Sequence, residues 1–319
     1  MTSQNITTRV TAVEQVAQNV HAYTLSCEDN STLPEFSAGA HIDLLLGNDL
    51  IRQYSLCSDP AKRHEYKVAI LLEAAGRGGS AWIHKNLQEG SELTIHAPRN
   101  HFELDENEDN YLLIAGGIGI TPIMLMAARL QQLNKPFILH YLSRTPEQAA
   151  FAEQLTAQLG DSVQCHYSYG ESDKRLNIEA LFNEQTQNTA VYTCGSERLL
   201  QSILDAAEDK SHIKVVYERF SAAPVDESVV NKTFEVELES SGKIIEIQPE
   251  QSILEVLRGE GHQIETMCEE GLCGSCEVGL LEGEADHRDS VLTDEEQAEQ
   301  SVLMVCCSRA NSARLKLAL

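Results

Sequence analysis

Three cysteines stand close together, Cys268, Cys273 and Cys276, in the pattern C-x4-C-x2-C, and Cys306 follows after 29 intervening residues. This is the spacing of a plant-type [2Fe–2S] cluster. Four thiolates must converge on two irons, so three come from one curled loop. Gly271 and Gly274 give that loop backbone conformations that other residues resist. The competing chemistry is zinc, which usually takes C-x2-C pairs and fits a four-residue first gap poorly. Cys307 competes with Cys306 for the fourth place. The register favours Cys306, because adjacent residues on a strand point to opposite faces. Such a cluster passes electrons one at a time.

A second group lies in the N-terminal third. Arg52-Gln53-Tyr54-Ser55 offers a phosphate fork, an aromatic surface and a hydroxyl donor within four residues of a predicted strand. Alone, the string is equally an ordinary strand with a surface arginine. About 25 residues on, Gly76-Arg77-Gly78-Gly79-Ser80 opens a predicted helix. A glycine loop at that place presents free N–H groups to a phosphate. Together the two strings point to a flavin phosphate site.

A third group reads as a nucleotide site. Gly116-Gly117-Ile118-Gly119-Ile120-Thr121-Pro122 sits at a predicted strand–helix junction. Its glycines allow close backbone approach, and the helix start favours a pyrophosphate. It is not the G-x-G-x-x-G fingerprint of the standard dinucleotide fold. Cys194-Gly195-Ser196 ends another predicted strand, and Cys194 is also readable as a small buried core residue. Ser143-Arg144 follows the strand where an adenosine ribose would be read. The eleven histidines show no metal-binding spacing; His84, His96, His101 and His287 read as structural or surface residues.

The chain that must position these groups has 319 residues, 42% hydrophobic and 23% charged, with a formal charge of −25. The length allows two or three domains. The acidity repels nucleic-acid backbones and anionic membranes. Nine cysteines, an odd number crowded toward the end, are not a secreted disulfide framework. No signal peptide is visible, so a cytoplasmic location is expected. Tyr111–Leu130 has the length of a membrane span, but its glycines and Pro122 argue for a strand, a turn and a helix.

Residues 1–105 carry short strands at regular spacing, at Val20–Cys27, Ala40–Leu46, Arg52–Cys57, Tyr66–Glu73 and Glu92–Ala97, with a helix after Ser80. They predict an antiparallel β-barrel or sandwich. Residues 106–228 alternate buried strands with helices (Pro122–Leu133, Pro146–Leu159, Ile178–Asn183, Glu197–Ala207), as an α/β domain with a parallel sheet does. Residues 222–230 read as a linker. Residues 229–319 begin with a hairpin around Ser240-Ser241-Gly242 and continue with a helix at Ser252–Arg258, the cysteine loop and further short strands. This last part holds 19 Asp and Glu against 7 Lys and Arg. Acidic residues flank the cysteine loop (Glu265, Glu269, Glu270) and a late helix (Asp294, Glu295, Glu296), a face that would suit a basic partner or simply be solvated.

The cysteine loop resembles a plant-type ferredoxin domain, and the whole chain resembles the phthalate dioxygenase reductase family, which includes the vanillate demethylase and carnitine monooxygenase reductases. Glu284-Ala-Asp-His-Arg-Asp289 and Cys307-Ser-Arg-Ala310 also look like family segments. The resemblance implies a ferredoxin reductase-like FMN barrel, an NAD domain and a β-grasp ferredoxin domain. It implies that Arg52 binds the flavin phosphate, that Tyr54 packs by the isoalloxazine and that Ser55 meets flavin N5. The glycine loop, with Arg77, Gly78, Gly79 and Ser80, implies FMN rather than FAD. Gly116, Gly117, Gly119 and Thr121, together with Cys194 and Gly195, would hold the nicotinamide nucleotide, with Cys194 near the reacting carbon. Ser196 stands where the family usually has proline. Phe220 would lie against the flavin ring until nicotinamide arrives. NADH is favoured, although Arg144 could accept a 2′-phosphate.

The expected function follows. The chain is a reductase that takes electrons from NADH through FMN to [2Fe–2S] and delivers them to the Rieske oxygenase component of a two-component monooxygenase or demethylase. A reductase serving a diiron oxygenase, and a redox-sensing iron–sulfur protein, are the alternatives. The terminal substrate belongs to the partner.

Overall fold

The structure, a computed structural model, describes residues 5–29, 31–47, 50–73, 76, 78–220 and 230–319. Arg77 and nearly all of the expected linker lie outside the described residues. The chain divides into two compact units, Met1–Glu218 and Arg219–Leu319. Among the described residues no helix is long and apolar enough to cross a membrane.

The first unit opens with β1 (Asn5–Ala17), β2 (Val20–Ser26), β3 (His41–Leu45), β4 (Ile51–Ser55), β5 (Tyr66–Leu71), α1 (Gly79–Asn86) and β6 (Glu92–His96). These strands form one antiparallel sheet in the order β4-β3-β6-β1-β2-β5. A bridge between Leu56 and Val68 joins its two edges and closes the barrel. Period-two alternation sends Tyr23, Leu25, Ile42, Leu44, Val68 and Ile70 inward, where they are almost fully buried. The sequence reading omitted β1. Its thirteen residues carry threonines and charges on both faces and therefore show weak alternation. The strand forms because it pairs β6 with its first half and β2 with its second, bending at register shifts after Val10 and Gln15.

The same unit continues with β7 (Tyr111–Gly116), α2 (Ile120–Gln132), β8 (Phe137–Ser143), α3 (Ala152–Leu159), β9 (Val163–Tyr167), α4 (Ile178–Asn183), β10 (Thr189–Cys194), α5 (Glu197–Ala207) and β11 (Ile213–Glu218). The five strands pair in parallel in the order β11-β10-β7-β8-β9. Both faces are covered, which explains the near-continuous apolar runs. Leu113 and Ala115 pack with Ile123 and Leu155 of α2 and α3, while Leu112 and Ile114 pack with Phe182 and Ile203 of α4 and α5. The helix expected over Pro146–Leu159 is split. A short 3-10 turn ends at Gln148, and Phe151 takes a left-handed φ of 61° before α3 starts.

The second unit holds β12 (Phe234–Leu238), β13 (Ile244–Ile247), α6 (Ile253–Gly259), β14 (Glu277–Glu282), β15 (Ala285–Asp286), α7 (Asp294–Glu299), β16 (Val302–Met304), β17 (Arg309–Ala310) and β18 (Arg314–Leu317). Its mixed sheet runs β13-β12-β18-β14-β16, and β15 pairs β17 separately, a β-grasp arrangement. Capping boxes start α6 (Ser252, Glu255) and α7 (Thr293, Glu296). Leu254 and Leu257 close the core over Val236, Leu303 and Leu315.

Candidate functional site

The barrel places Arg52, Tyr54 and Ser55 on β4. Arg52 lies against the glycine loop: a Cβ on Gly79 would stand 2.6 Å from both its Cγ and its Nε. Only glycine lets the arginine and the start of α1 approach this closely. Gly78 caps the helix at φ 82°, with no side chain bonded to the first turn's N–H groups. Ser80 Oγ accepts the Glu73 N–H at 3.0 Å and holds the loop to the strand end. A guanidinium beside a helix start makes a cradle for one phosphate. Burial pushes the Tyr54 phenol well above its usual range, so it stays neutral and presents a ring.

Ser55 is 4% exposed, and its hydroxyl hydrogen-bonds the Glu218 carboxyl at the end of β11. Burial raises Glu218 to about 8, against the pull of the Ser55 bond. The other carboxyl oxygen, Oε2, is buried with no hydrogen-bond partner. Cys194, fully buried, is pushed up first by desolvation and then by Glu218, so it remains a thiol. The unit thus gathers Ser55, Cys194 and Glu218 from three strands. Sequence reading missed Glu218. From the segment Tyr217-Glu218-Arg219-Phe220 the sequence singles out only Phe220, although an acid closing a strand of mostly apolar residues is a usable signal.

The two nucleotide strings also meet. Ala115 pairs with Cys194 across β7 and β10. A Cβ on Gly119 would stand 2.3 Å from the Cys194 carbonyl oxygen, and one on Gly116 would stand 2.8 Å from Leu199. The turn Gly117–Gly119 therefore packs directly on Cys194-Gly195. Thr121, 2% exposed, donates to Ile118 O at 3.0 Å and closes the turn. Ser143 ends β8 and donates to Thr145 O at 3.1 Å, and Arg144 is exposed. Phe220 belongs to the second unit and is 40% exposed. Arg77 lies outside the described residues.

In the second unit the cysteines come together two and two. Cys268 hydrogen-bonds Cys273, and Cys276 hydrogen-bonds Cys306. Among the described residues no three His, Cys, Asp or Glu side chains converge as one metal ion would need. Two thiol pairs suit two irons, each taking two cysteines, better than one zinc. Backbone N–H groups turn toward the sulfurs: Glu270 and Leu272 reach Cys268 Sγ at 3.4 Å, and Gly271 bonds Cys306. Such donors stabilise thiolate charge and tune a cluster's potential. Gly271 (φ +71°) is the tightest point, where a Cβ would stand 2.6 Å from Cys307 Sγ and 3.0 Å from Asp289 Cα. Cys306 and Cys307 lie on a turn after β16, not on a strand, so alternation of faces does not separate them. The turn aims Cys306 at Cys276 and Cys307 at Gly271.

Residues 236–311 match the 2Fe-2S iron–sulfur cluster binding domain family. The chain is 38% identical over 311 residues to a vanillate O-demethylase oxidoreductase of Pseudomonas sp. strain HR199, covering 97% of this chain and 98% of that one. Among solved structures it is similar to phthalate dioxygenase reductase, described as modular for electron transfer from pyridine nucleotides to [2Fe-2S], at 36% identity and a TM-score of 0.74, covering 99% and 98% of the two chains. It is also similar to full-length CYP116B46 of Tepidiphilus thermophilus, at 40% identity and a TM-score of 0.81, covering 99% of this chain but only 42% of that one.

Proposed function

The chain belongs to the phthalate dioxygenase reductase family, and from that premise we propose how its residues divide the work. It is an oxidoreductase, the reductase component of an oxygenase system, using NADH, FMN and a [2Fe–2S] cluster. When bound, FMN would supply the conversion of a two-electron hydride into single electrons, and a [2Fe–2S] cluster would supply one-electron transfer. The finer assignments are our reading.

Arg52 and the loop at Gly78, Gly79 and Ser80 hold the flavin phosphate, and Tyr54 supports the ring. Ser55 offers its hydroxyl at the reacting edge. Gly116, Gly117 and Gly119, with Cys194 and Gly195, seat the nicotinamide nucleotide, and Thr121 keeps their turn closed. Ser143 and Arg144 face the adenosine end, and Phe220 covers the flavin ring before NADH binds. Cys268, Cys273, Cys276 and Cys306 hold the cluster. No side chain needs to act as a strong acid or base, since the protein's contribution is placement and exclusion of water. Residues 1–105, 106–228 and 229–319 serve as FMN, NADH and cluster domains, working in the cytoplasm.

The acceptor is a Rieske-type oxygenase that docks near the cluster. Glu265, Glu269, Glu295 and Glu296 are exposed there, although Glu269 shares its charge with Arg258 at 2.7 Å. A basic rim on the oxygenase would complement the rest. The observation carrying the whole reading is that one chain holds a unit that gathers Ser55, Cys194 and Glu218 and another in which four cysteines pair two and two. The likeness to a self-sufficient cytochrome P450 monooxygenase favours one second reading, in which the acceptor is a P450.

The test is an anaerobic NADH titration with iron and flavin quantified, followed by reconstitution with a Rieske oxygenase and with a P450. Bleaching of both chromophores, with about two irons and one FMN per chain, is expected. A colourless zinc protein, or a cluster that NADH leaves oxidised, would sink the reductase reading. High salt should slow delivery to the oxygenase while leaving ferricyanide reduction unchanged. Equal slowing of both would remove the docking argument.

A further inference from the structure

We infer that Tyr169 is the platform on which the adenine base of NADH stacks, and so the residue by which this chain tells the dinucleotide from a bare nicotinamide nucleotide. The inference rests on the reading above, in which the turn Gly117–Gly119 and Cys194 seat NADH.

The observation is a tyrosine in a place that its backbone disfavours. Strand β9 ends at Tyr167, and the chain turns at once. The Glu171 N–H donates to Ser168 O at 2.8 Å, so Ser168-Tyr169-Gly170-Glu171 is a hydrogen-bonded β-turn. Its central residues, Tyr169 and Gly170, have φ of 52° and 87°. Positive φ at both positions belongs to the type I′ turn, which takes Gly, Asn or Asp there. Gly170 obeys that rule and Tyr169 breaks it, because in the left-handed region its Cβ crowds the backbone. The ring does not recover the cost by packing. Tyr169 is 54% exposed, and among the described residues it joins none of the apolar clusters of its unit. Lys174 Nζ lies 5.5 Å from the ring centre and pairs with Glu171 at 2.8 Å, so a tethered cation covers one face. A strained residue that presents an open aromatic face marks a binding place.

The position of the turn says what binds there. The Ser168 N–H donates to Ser143 O at 3.1 Å and the Tyr169 N–H to Arg144 O at 2.7 Å, so the pairing of β8 with β9 runs on past the ends of both strands. Tyr169 is thereby fixed beside Arg144 at the carboxyl edge of the sheet, where open α/β sheets take their ligands. In the order β11-β10-β7-β8-β9 the chain switches direction between β7 and β10. A dinucleotide whose pyrophosphate rests at the turn after β7 has two ways to extend. Toward β10 it meets Cys194, with Glu218 and Ser55 in the same group, and that end takes the nicotinamide. Toward β8 and β9 it meets Ser143, Arg144 and then Tyr169, two strand spacings or about 10 Å from β7. That end takes the adenosine, and its base stacks on the face of Tyr169 that Lys174 leaves open.

The experiment compares the full-length holoprotein with Tyr169→Gly, which suits the turn and removes only the side chain, and with Tyr169→Phe, which keeps the ring. Calorimetry with ADP-ribose measures the adenosine end without redox chemistry. Stopped-flow absorbance with NADH, and with reduced nicotinamide mononucleotide, which lacks the adenosine, separates affinity from the limiting rate of flavin reduction. In Tyr169→Gly, ADP-ribose and NADH should bind about tenfold more weakly, the loss of one base–aromatic stack. The loss should fall on affinity rather than on the limiting rate, and the mononucleotide should not register it. Tyr169→Phe should bind ADP-ribose and NADH as wild type does. Unchanged ADP-ribose affinity in Tyr169→Gly overturns the platform. An equal loss for the mononucleotide also overturns it, because the substitution would then have disturbed the whole nucleotide site. A Tyr169→Phe variant as weak as Tyr169→Gly overturns stacking as the interaction. A wild-type flavin that neither nucleotide reduces overturns the reductase reading instead, and the ADP-ribose calorimetry then judges the platform alone.

Discussion

The Ser55 hydroxyl is hydrogen-bonded to the Glu218 carboxyl, tying the end of a barrel strand to the end of a strand in the parallel sheet. Hydride loss leaves the nicotinamide ring positively charged, and a carboxylate held in a low-dielectric site stabilises that charge. Burial holds Glu218 at about 8, so the carboxylate form grows as pH rises through that value. The rate of flavin reduction by NADH should rise across the same interval. Glu218→Gln keeps an acceptor for Ser55 but has no charge to gain, so its profile should be flat there. An inflection near pH 8 that survives in Glu218→Gln would assign it elsewhere.

The same group sets a stability slope. Its folded value lies above its unfolded one, near 4.5, so between the two the folded state holds a proton that the unfolded state has lost. Stability therefore falls as pH rises from about 4.5 to about 8, by about 1.4 kcal/mol per unit while the difference lasts. Urea titrations at pH 6.5 and 8 should show wild type losing stability relative to Glu218→Gln. Parallel curves would mean that Glu218 is ionised in the folded protein.

Gly79→Ala should cost flavin. The added methyl would meet Arg52 Cγ and Nε at 2.6 Å, and the arginine can yield only by leaving the helix start. FMN affinity should fall about tenfold or more, since one charge-assisted contact is worth about 1.5–3 kcal/mol. Fluorescence of released flavin measures it, and full flavin retention would show that Arg52 is not the phosphate's partner.

What the sequence disclosed follows physical locality. The glycine and cysteine strings were legible because each needs a particular backbone path within a few residues, and the path dictates residue type. Ile178–Asn183 and Glu197–Ala207 were legible as helices for the same reason. Glu218 was not, because its meaning comes from Ser55, 163 positions earlier in the chain. Strand β1 was hidden because its partners, rather than its own alternation, make it a strand. The Phe151 break in the expected long helix is a single left-handed residue with no glycine to announce it.

The cluster assignment separates two adjacent thiols. Cys306 hydrogen-bonds Cys276 as well as its neighbour Cys307, whereas Cys307 packs on Gly271 and its Sγ is 3.8 Å from Met304 O. Cys306→Ser should lower iron content and bleach the visible bands. Cys307→Ser should retain about two irons per chain, as the ligand set predicts. Gly271→Ala should lose iron like Cys306→Ser, because φ is +71° and its methyl would strike Cys307. Iron loss in Cys307→Ser with retention in Cys306→Ser would exchange the two assignments.

Acid sensitivity of the first unit should centre on a histidine pair. His140 on β8 and His166 on β9 share a ring hydrogen bond at 3.0 Å, with His140 only 5% exposed. Desolvation, then the neighbouring His166, lowers His140 to about 4. Its folded value lies below its unfolded one near 6.5, so the unfolded state binds the extra proton between them. This contribution is present above 6.5 and is lost as pH falls toward 4, opposite in sign to that of Glu218. Fluorescence of Trp82, the single tryptophan, reads this unit separately from the cluster. Between pH 6.5 and 4.5 wild type should lose up to about 1.4 kcal/mol per unit relative to His140→Asn. The variant keeps a donor and acceptor for His166 but cannot take up the proton. Identical slopes would show that the pair is protonated without cost in the folded sheet.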